Sequence, residues 1–327
     1  MPLCSFRYER CVKDPRVVHS WLPRERRKIN YRQALPPTTT IPGMTVQHAL
    51  QHATTRLVAD PHLSDNARRD AELLLLHTLG ITKAGLIADP ARQLTPEQTA
   101  SYAAAIARRV RHEPVQYITG TQEFYGLPLR VTPAVLIPRP ETEHLVESVL
   151  ERLPHDRPVR IADVGTGSGA IAIALAVNLP LAQIVALDLS PSALAVAEGN
   201  VQHHGVGGRV RLLQSNLLEG LSSAERESHF DAVVSNPPYV PTGDADSLHP
   251  QVREYEPASA LYAGATGLDI YERLVPEAYT ALKPGGVLAM EIGYGQSGPI
   301  SELLTGWHGV GFVKDLQGIP RVVLAQR

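Results

Sequence analysis

From Val159 onward the chain alternates short apolar runs with amphipathic or apolar helical stretches, and this alternation most constrains what it can fold into. Val159 to Val164, Gln183 to Leu187, Val210 to Leu213, Phe230 to Ser235 and Val287 to Glu291 read as buried strands. Ser168 to Asn178, Pro191 to His204 behind a Ser190 cap, and Leu268 to Leu282 with a kink at Pro276 read as helices. Gly311 to Asp315 and Arg321 to Ala325 read as an antiparallel pair that closes the sheet. Such an order implies an α/β fold with a doubly wound sheet.

The turn between the first strand and its helix, Asp163-Val164-Gly165-Thr166-Gly167-Ser168-Gly169-Ala170, is glycine-rich. Glycines there let the backbone turn tightly and approach a ligand with no Cβ in the way. Gly165, Gly167 and Ala170 satisfy the spacing of the dinucleotide fingerprint. Asp188 follows Gly165 by 23 residues, at the end of the second strand, where a carboxylate can meet ribose hydroxyls. The loop therefore predicts a nucleoside ligand, either a nicotinamide dinucleotide or S-adenosylmethionine.

Ser235-Asn236-Pro237-Pro238-Tyr239 separates those two readings. Asn236 falls where a strand runs out at its carboxyl end, the edge at which open α/β sheets bind ligands. The two prolines fix φ and remove two backbone donors, leaving the Pro237 carbonyl free to accept a hydrogen bond. Together with the Asn236 side-chain oxygen it makes a rigid pair of acceptors, capped by the Tyr239 ring and matched to a planar –NH2 group. Hydride transfer gives such a cradle no purpose. Methyl transfer from S-adenosylmethionine to an amide or amino nitrogen uses both motifs.

Other chemistries lack their signatures. Ser168 has no glycine two residues before it, the phosphate-loop pattern is missing, and the 13 histidines show no H-E-x-x-H spacing, so no metal is expected. The chain has no apolar run long enough to span a membrane. Its two cysteines, Cys4 and Cys11, leave the remainder without thiol chemistry, which fits a cytoplasmic setting. Of 31 basic and 33 acidic residues, nine basic and three acidic ones fall within residues 1–43; residues 44–327 hold 22 against 30, a net of −8. An acidic body argues against direct nucleic-acid binding.

Residues 1–43 show no sustained apolar period and end in a Pro/Thr-rich run, so a basic, disordered extension is expected, with Met44 a candidate natural start. Residues 44–114 read as a small helical domain. Val46, Leu50, Ala53 and Leu57 share one face, a second helix starts at Ser64 and stops at Gly80, and a short third covers Lys83 to Ala88. Thr95, Pro96 and Gln98 form a capping box for the fourth, which ends near His112 to Pro114. Residues 115–140 read as a β-hairpin linker, and 141–327 as the catalytic domain.

The pieces Glu113-Pro114-Val115-Gln116-Tyr117-Ile118, Glu123-Phe124-Tyr125-Gly126, Ile137-Pro138-Arg139-Pro140-Glu141-Thr142-Glu143, Gly165 to Gly169, Asn236 to Tyr239, Arg253-Glu254-Tyr255-Glu256-Pro257, Gly264 to Leu268 and Glu291-Ile292-Gly293 occur in this order. In these the chain resembles the PrmC/HemK family of protein N5-glutamine methyltransferases. The resemblance implies a seven-stranded, Rossmann-like class I methyltransferase domain and a helical N-terminal domain that helps hold a class I peptide chain release factor. It also implies that the modified group is the glutamine of a Gly-Gly-Gln motif. Carried over by position, Gly165, Thr166, Gly167, Ser168, Gly169, Asp188, Asn216, Leu217 and Asn236 would bind S-adenosylmethionine. Asn236, Pro237, Pro238 and Tyr239 would hold the glutamine, with Asn236, Pro237 and Tyr239 acting in catalysis. Asn216 stands where the family usually has Asp, which implies weaker cofactor binding.

An amide nitrogen is a poor nucleophile because its lone pair is delocalised. Two acceptors on its N–H groups would turn that lone pair toward the methyl, and positioning of this kind is worth roughly 7–11 kcal/mol. Glu141, Glu143 and Glu256 are candidates for placing the substrate, although Glu141 and Glu143 also suit a helix's first turn. Arg253 suits either a pairing over the pocket or a solvated surface. The competing activity is methylation of the adenine amino group in nucleic acid, whose nitrogen offers the same donor pair. A binding module without turnover is the other alternative.

Overall fold

The computed structural model describes residues 43–227 and 229–327; the expected basic extension lies outside them, except for its last residue, Gly43. The described chain begins with helices α1 (Val46–Val58), α2 (Ala67–Leu79, after a 3-10 turn at Ser64–Asn66), α3 (Lys83–Ala88) and α4 (Pro96–Arg109). Their starts follow local chemistry: Thr45, Thr82 and Thr95 each cap a helix with the side-chain oxygen, and Gln98 returns the bond to the Thr95 amide. Gly80 ends α2 in the left-handed conformation. Val46, Leu57, Leu74, Leu75, Tyr102 and Ile106 interlock as one apolar core. Across it the buried pair Arg109–Asp70 meets at 2.7 Å.

The sequence pattern predicts β-pieces from Val115, but Val115–Thr119 form a helix, α5. Tertiary contacts outweigh β-propensity there. Val115 and Ile118 join the helical core, and the Tyr117 hydroxyl donates to the Val135 carbonyl at 2.6 Å. The hairpin follows as β1 (Thr121–Phe124) and β2 (Leu127–Arg130), and its Phe124 and Leu129 pack into the core of the sheet domain.

A 3-10 turn at Pro140–Thr142 opens into α6 (Glu143–Leu150). Then come β3 (Val159–Val164), α7 (Ala170–Asn178), β4 (Ala182–Asp188), α8 (Pro191–His203), β5 (Val210–Gln214) and β6 (Phe230–Ser235). The chain closes with α9 (Pro250–Tyr255), α10 (Asp269–Ala281), β7 (Leu282–Glu291), α11 (Ser297–Leu303), β8 (His308–Lys314) and β9 (Pro320–Gln326). α10 continues through Pro276 without a break in the helix.

The seven strands run in the order β5-β4-β3-β6-β7-β9-β8, with the first five parallel and β9 antiparallel to both of its neighbours, β7 and β8. This is the expected doubly wound sheet. Each face carries its own apolar cluster, one holding Ile161, Ile173 and Leu175, the other Val233, Tyr271 and Leu274. The chain leaves β3 in one direction and returns on its other side through β6, so the switch point lies between them. Register pairs Val164 with both Leu187 and Ser235, and Ser235 with Met290. The segments that follow β3, β4, β6 and β7 therefore emerge along one edge.

Candidate active site

The turn after β3 alternates three glycines in the left-handed conformation, with φ of 74° at Gly165, 56° at Gly167 and 82° at Gly169. Side-chain-bearing residues would be strained at all three. The amides of Gly165 and Thr166 both donate to the Leu187 carbonyl, and the Gly167 amide donates to Asp188 Oδ2 at 2.8 Å. Asp188 Oδ1 accepts from the Ser190 amide, so this carboxylate ties the glycine turn to the start of α8. Burial raises the Asp188 pKa, opposed by these amides.

Asp163, the last residue but one of β3, is fully buried. Its Oδ2 accepts from the Thr166 hydroxyl at 2.6 Å and the Ala172 amide at 3.2 Å. Its Oδ1 is the single buried side-chain polar atom with no partner among the described residues. Burial pushes its pKa up to about 7.

Across the switch point, the Ser235 hydroxyl donates to the Val164 carbonyl at 2.7 Å and fixes the end of β6 against the end of β3. Asn236 comes next. Its Nδ2 donates to Thr142 Oγ1 at 3.0 Å, and neither its Oδ1 nor the Pro237 carbonyl accepts a hydrogen bond from the described residues. The Thr142 hydroxyl in turn donates to Glu291 Oε2 at 2.6 Å, while the Tyr239 hydroxyl reaches Glu291 Oε1 at 3.4 Å. Burial raises the Glu291 pKa to about 7, helped by the nearby charge of Glu141 and opposed by Thr142, Tyr239 and Arg321.

Three loops are bracketed by Gln296, whose Nε2 donates to the carbonyls of Tyr239 and Gly267 and whose Oε1 accepts from the Gly293 amide. The approach is close: a Cβ at Gly267 would sit 2.3 Å from the Tyr239 carbonyl oxygen. After β5, Asn216 donates its side-chain amide to Glu219, and Leu217 holds φ 50°, rare for a residue with a side chain, with its carbonyl accepting from the Ser215 hydroxyl.

The edge thus brings together Gly165, Thr166, Gly167, Ser168, Gly169 and Asp188 on one side and Asn236, Pro237, Pro238 and Tyr239 on the other, with Asn216 and Leu217 following the outermost parallel strand. Two candidate acids prove to be committed elsewhere. Glu256 is buried, pairs with Arg139 at 2.5 Å and accepts from the Ile137 amide, so it braces the segment that carries Thr142. Glu143 accepts from the Tyr125 amide at the hairpin turn. Among the described residues, Arg253 pairs with two exposed acids, Asp246 and Glu254. Sequence reasoning missed Asp163, Thr142, Glu291 and Gln296 as members of the site. Thr142 and Glu291 lie within motifs that carry the resemblance, but their pairing spans 149 residues and only the fold discloses it.

A doubly wound sheet with a glycine turn at the switch point and an Asn-Pro-Pro-Tyr segment on the adjoining strand defines a Rossmann-like class I methyltransferase. Residues 48–120 match the family described as PrmC N-terminal domain, and residues 142–250 match the methyltransferase small domain. The chain is 45% identical over 284 residues to the release factor glutamine methyltransferase of Koribacter versatilis, covering 87% of this chain and 99% of that one. It is 39% identical to its Escherichia coli counterpart, over 86% of this chain and 99% of that one. The chain belongs to the release factor glutamine methyltransferase family. Among solved structures, the catalytic domain of hMettl16 in complex with an RNA hairpin aligns with a TM-score of 0.50 at 17% identity, over 68% of this chain and 81% of that one, a likeness of fold alone.

Proposed function

We propose that the protein transfers a methyl group from S-adenosylmethionine to the side-chain amide nitrogen (N5) of the glutamine in the Gly-Gly-Gln motif of a class I peptide chain release factor. The observation that carries this reading is the pair of acceptors at Asn236 Oδ1 and the Pro237 carbonyl, neither used by the described residues, on the strand beside the glycine turn. The family's named activity supports the substrate.

The residues present fit the cofactor. The unpartnered oxygen of buried Asp163 suits a cationic ammonium, which would also favour its ionised form. Asp188 would accept from the ribose hydroxyls, and Asn216 Oδ1 from the adenine amino group. Leu217 and the exposed Leu189 offer apolar surfaces to the base. When bound, S-adenosylmethionine supplies an electrophilic methyl on sulfur, so that a C–S bond breaks as a C–N bond forms and S-adenosylhomocysteine leaves.

The protein's own contribution is orientation. Asn236 Oδ1 and the Pro237 carbonyl would each accept one N–H of the glutamine, turning the nitrogen lone pair out of conjugation and toward the glycine turn. The alkylated nitrogen is acidic enough to release one N–H proton without a strong base. Tyr239, held by Gln296 at its carbonyl and by Glu291 at its hydroxyl, would cover the site and face the developing cation with its ring. The test offers a radiolabelled methyl donor with release factor, DNA or RNA, then maps the label by mass spectrometry. Label on the Gly-Gly-Gln glutamine sustains the reading; label on nucleic acid alone, or none, overturns it.

A further inference from the structure

We propose that Thr142 and Glu291 are positioning residues that fix which edge of the Asn236 amide faces the substrate. The inference rests on the functional reading above and deepens it, since a glutamine –NH2 can be gripped only if Asn236 offers its oxygen.

The polarity follows from proton counting. Above about pH 7 Glu291 is ionised and has no proton to give, so there the Thr142 hydroxyl must donate to Glu291 Oε2, 2.6 Å away. With its single proton spent, Thr142 Oγ1 can only accept from its other neighbour. Asn236 must therefore turn its –NH2 edge to Thr142, at 3.0 Å, and Oδ1 faces the other way. A reversed amide would set two lone pairs against each other at Thr142 and two donors against each other at the substrate. Glu291 is buried and otherwise an expensive place for a charge, which is a cost that packing alone does not require. Its carboxylate is faced by Glu141 on the 3-10 turn, Tyr239 on the segment after β6 and Arg321 on β9, while the Tyr271 hydroxyl of α10 binds its backbone carbonyl.

Thr142→Ser keeps the hydroxyl, Thr142→Val removes it, and Glu291→Gln removes the charge that orders the relay. On a release factor, T142V and E291Q are expected to lose about 10–100-fold in kcat, with S-adenosylmethionine affinity within about threefold of wild type, while T142S stays within about threefold in both. At pH 8, E291Q is expected to unfold at no lower temperature than wild type, because a neutral group replaces a buried charge. A second measurement needs no substrate: in 15N-edited spectra the Asn236 side-chain amide protons should exchange slowly in wild type and T142S, and fast in T142V. Turnover of T142V and E291Q equal to wild type, T142S as impaired as T142V, or amide exchange indifferent to Thr142 would each overturn the proposal. An inactive wild type counts against the substrate reading instead, and the amide exchange then decides this one.

Discussion

Asn200, on α8, donates its side-chain amide to the Ser168 carbonyl at 2.8 Å and to the Arg130 carbonyl at 3.0 Å, while its oxygen accepts from the Arg130 amide. One buried side chain thus buttresses the glycine turn from behind and ties it to the hairpin. Asn200→Ala leaves three backbone groups without that partner and is expected to cost about 1–3 kcal/mol, a fall of several degrees in Tm. Calorimetric titration should also show weaker S-adenosylmethionine binding, since Ser168 lies in the turn itself.

Asn236→Ala removes one of the two acceptors and leaves the glycine turn alone. S-adenosylmethionine affinity should stay within about twofold of wild type, while kcat on release factor falls by at least about 100-fold. Unchanged turnover in a methyl-transfer assay would refute the role given to Asn236.

Asn216 donates to Glu219 at 3.2 Å, so replacing it with the acid usual in the family sets two carboxylates side by side. Asn216→Asp alone should therefore gain little. The double variant N216D/E219Q restores a donor for the new carboxylate and should tighten cofactor binding by about 3–10-fold, because a charged acceptor strengthens the bond to the adenine amino group.

Asp163 and Glu291 are both buried and both have pKa values raised to about 7. Between the ordinary carboxylate range and about pH 7 the folded protein holds protons that the unfolded chain has released. Each group's contribution to stability therefore falls as pH rises through that window and is lowest above it. In the cofactor-free protein, Asp163→Asn should be more stable than wild type above pH 7, with the difference closing toward pH 4 in urea titrations. The same variant should bind S-adenosylmethionine at least about tenfold more weakly, because the carboxylate that would face the ammonium is gone.

The sheet was largely legible because buried parallel strands are runs of apolar residues: β3 and β6 occupy the stretches their hydrophobicity marks, and the Thr95 box places the start of α4. The short helices α9 and α11 were not. His249 caps α9 through its imidazole, and α11 follows Gln296 with no side-chain cap, so neither carries a usual start signal. Within the site, Asp188 and Asn236 were visible because each sits beside its strand's end. Glu291 was visible only as part of a motif, since the hydrogen bond it accepts comes from Thr142, which belongs to another element far away in the chain.

Pro237 and Pro238 carry their restriction in covalent rings, so it is present in the unfolded chain as well as in the folded one. Holding the carbonyl of Pro237 still then sacrifices less conformational entropy than at an ordinary residue, by about 0.4–1 kcal/mol for each ring. The acceptor is in place before any partner arrives, and an encounter complex need not wait for that segment to order. The temperature dependence of turnover should accordingly show an activation entropy set by the incoming protein rather than by this one.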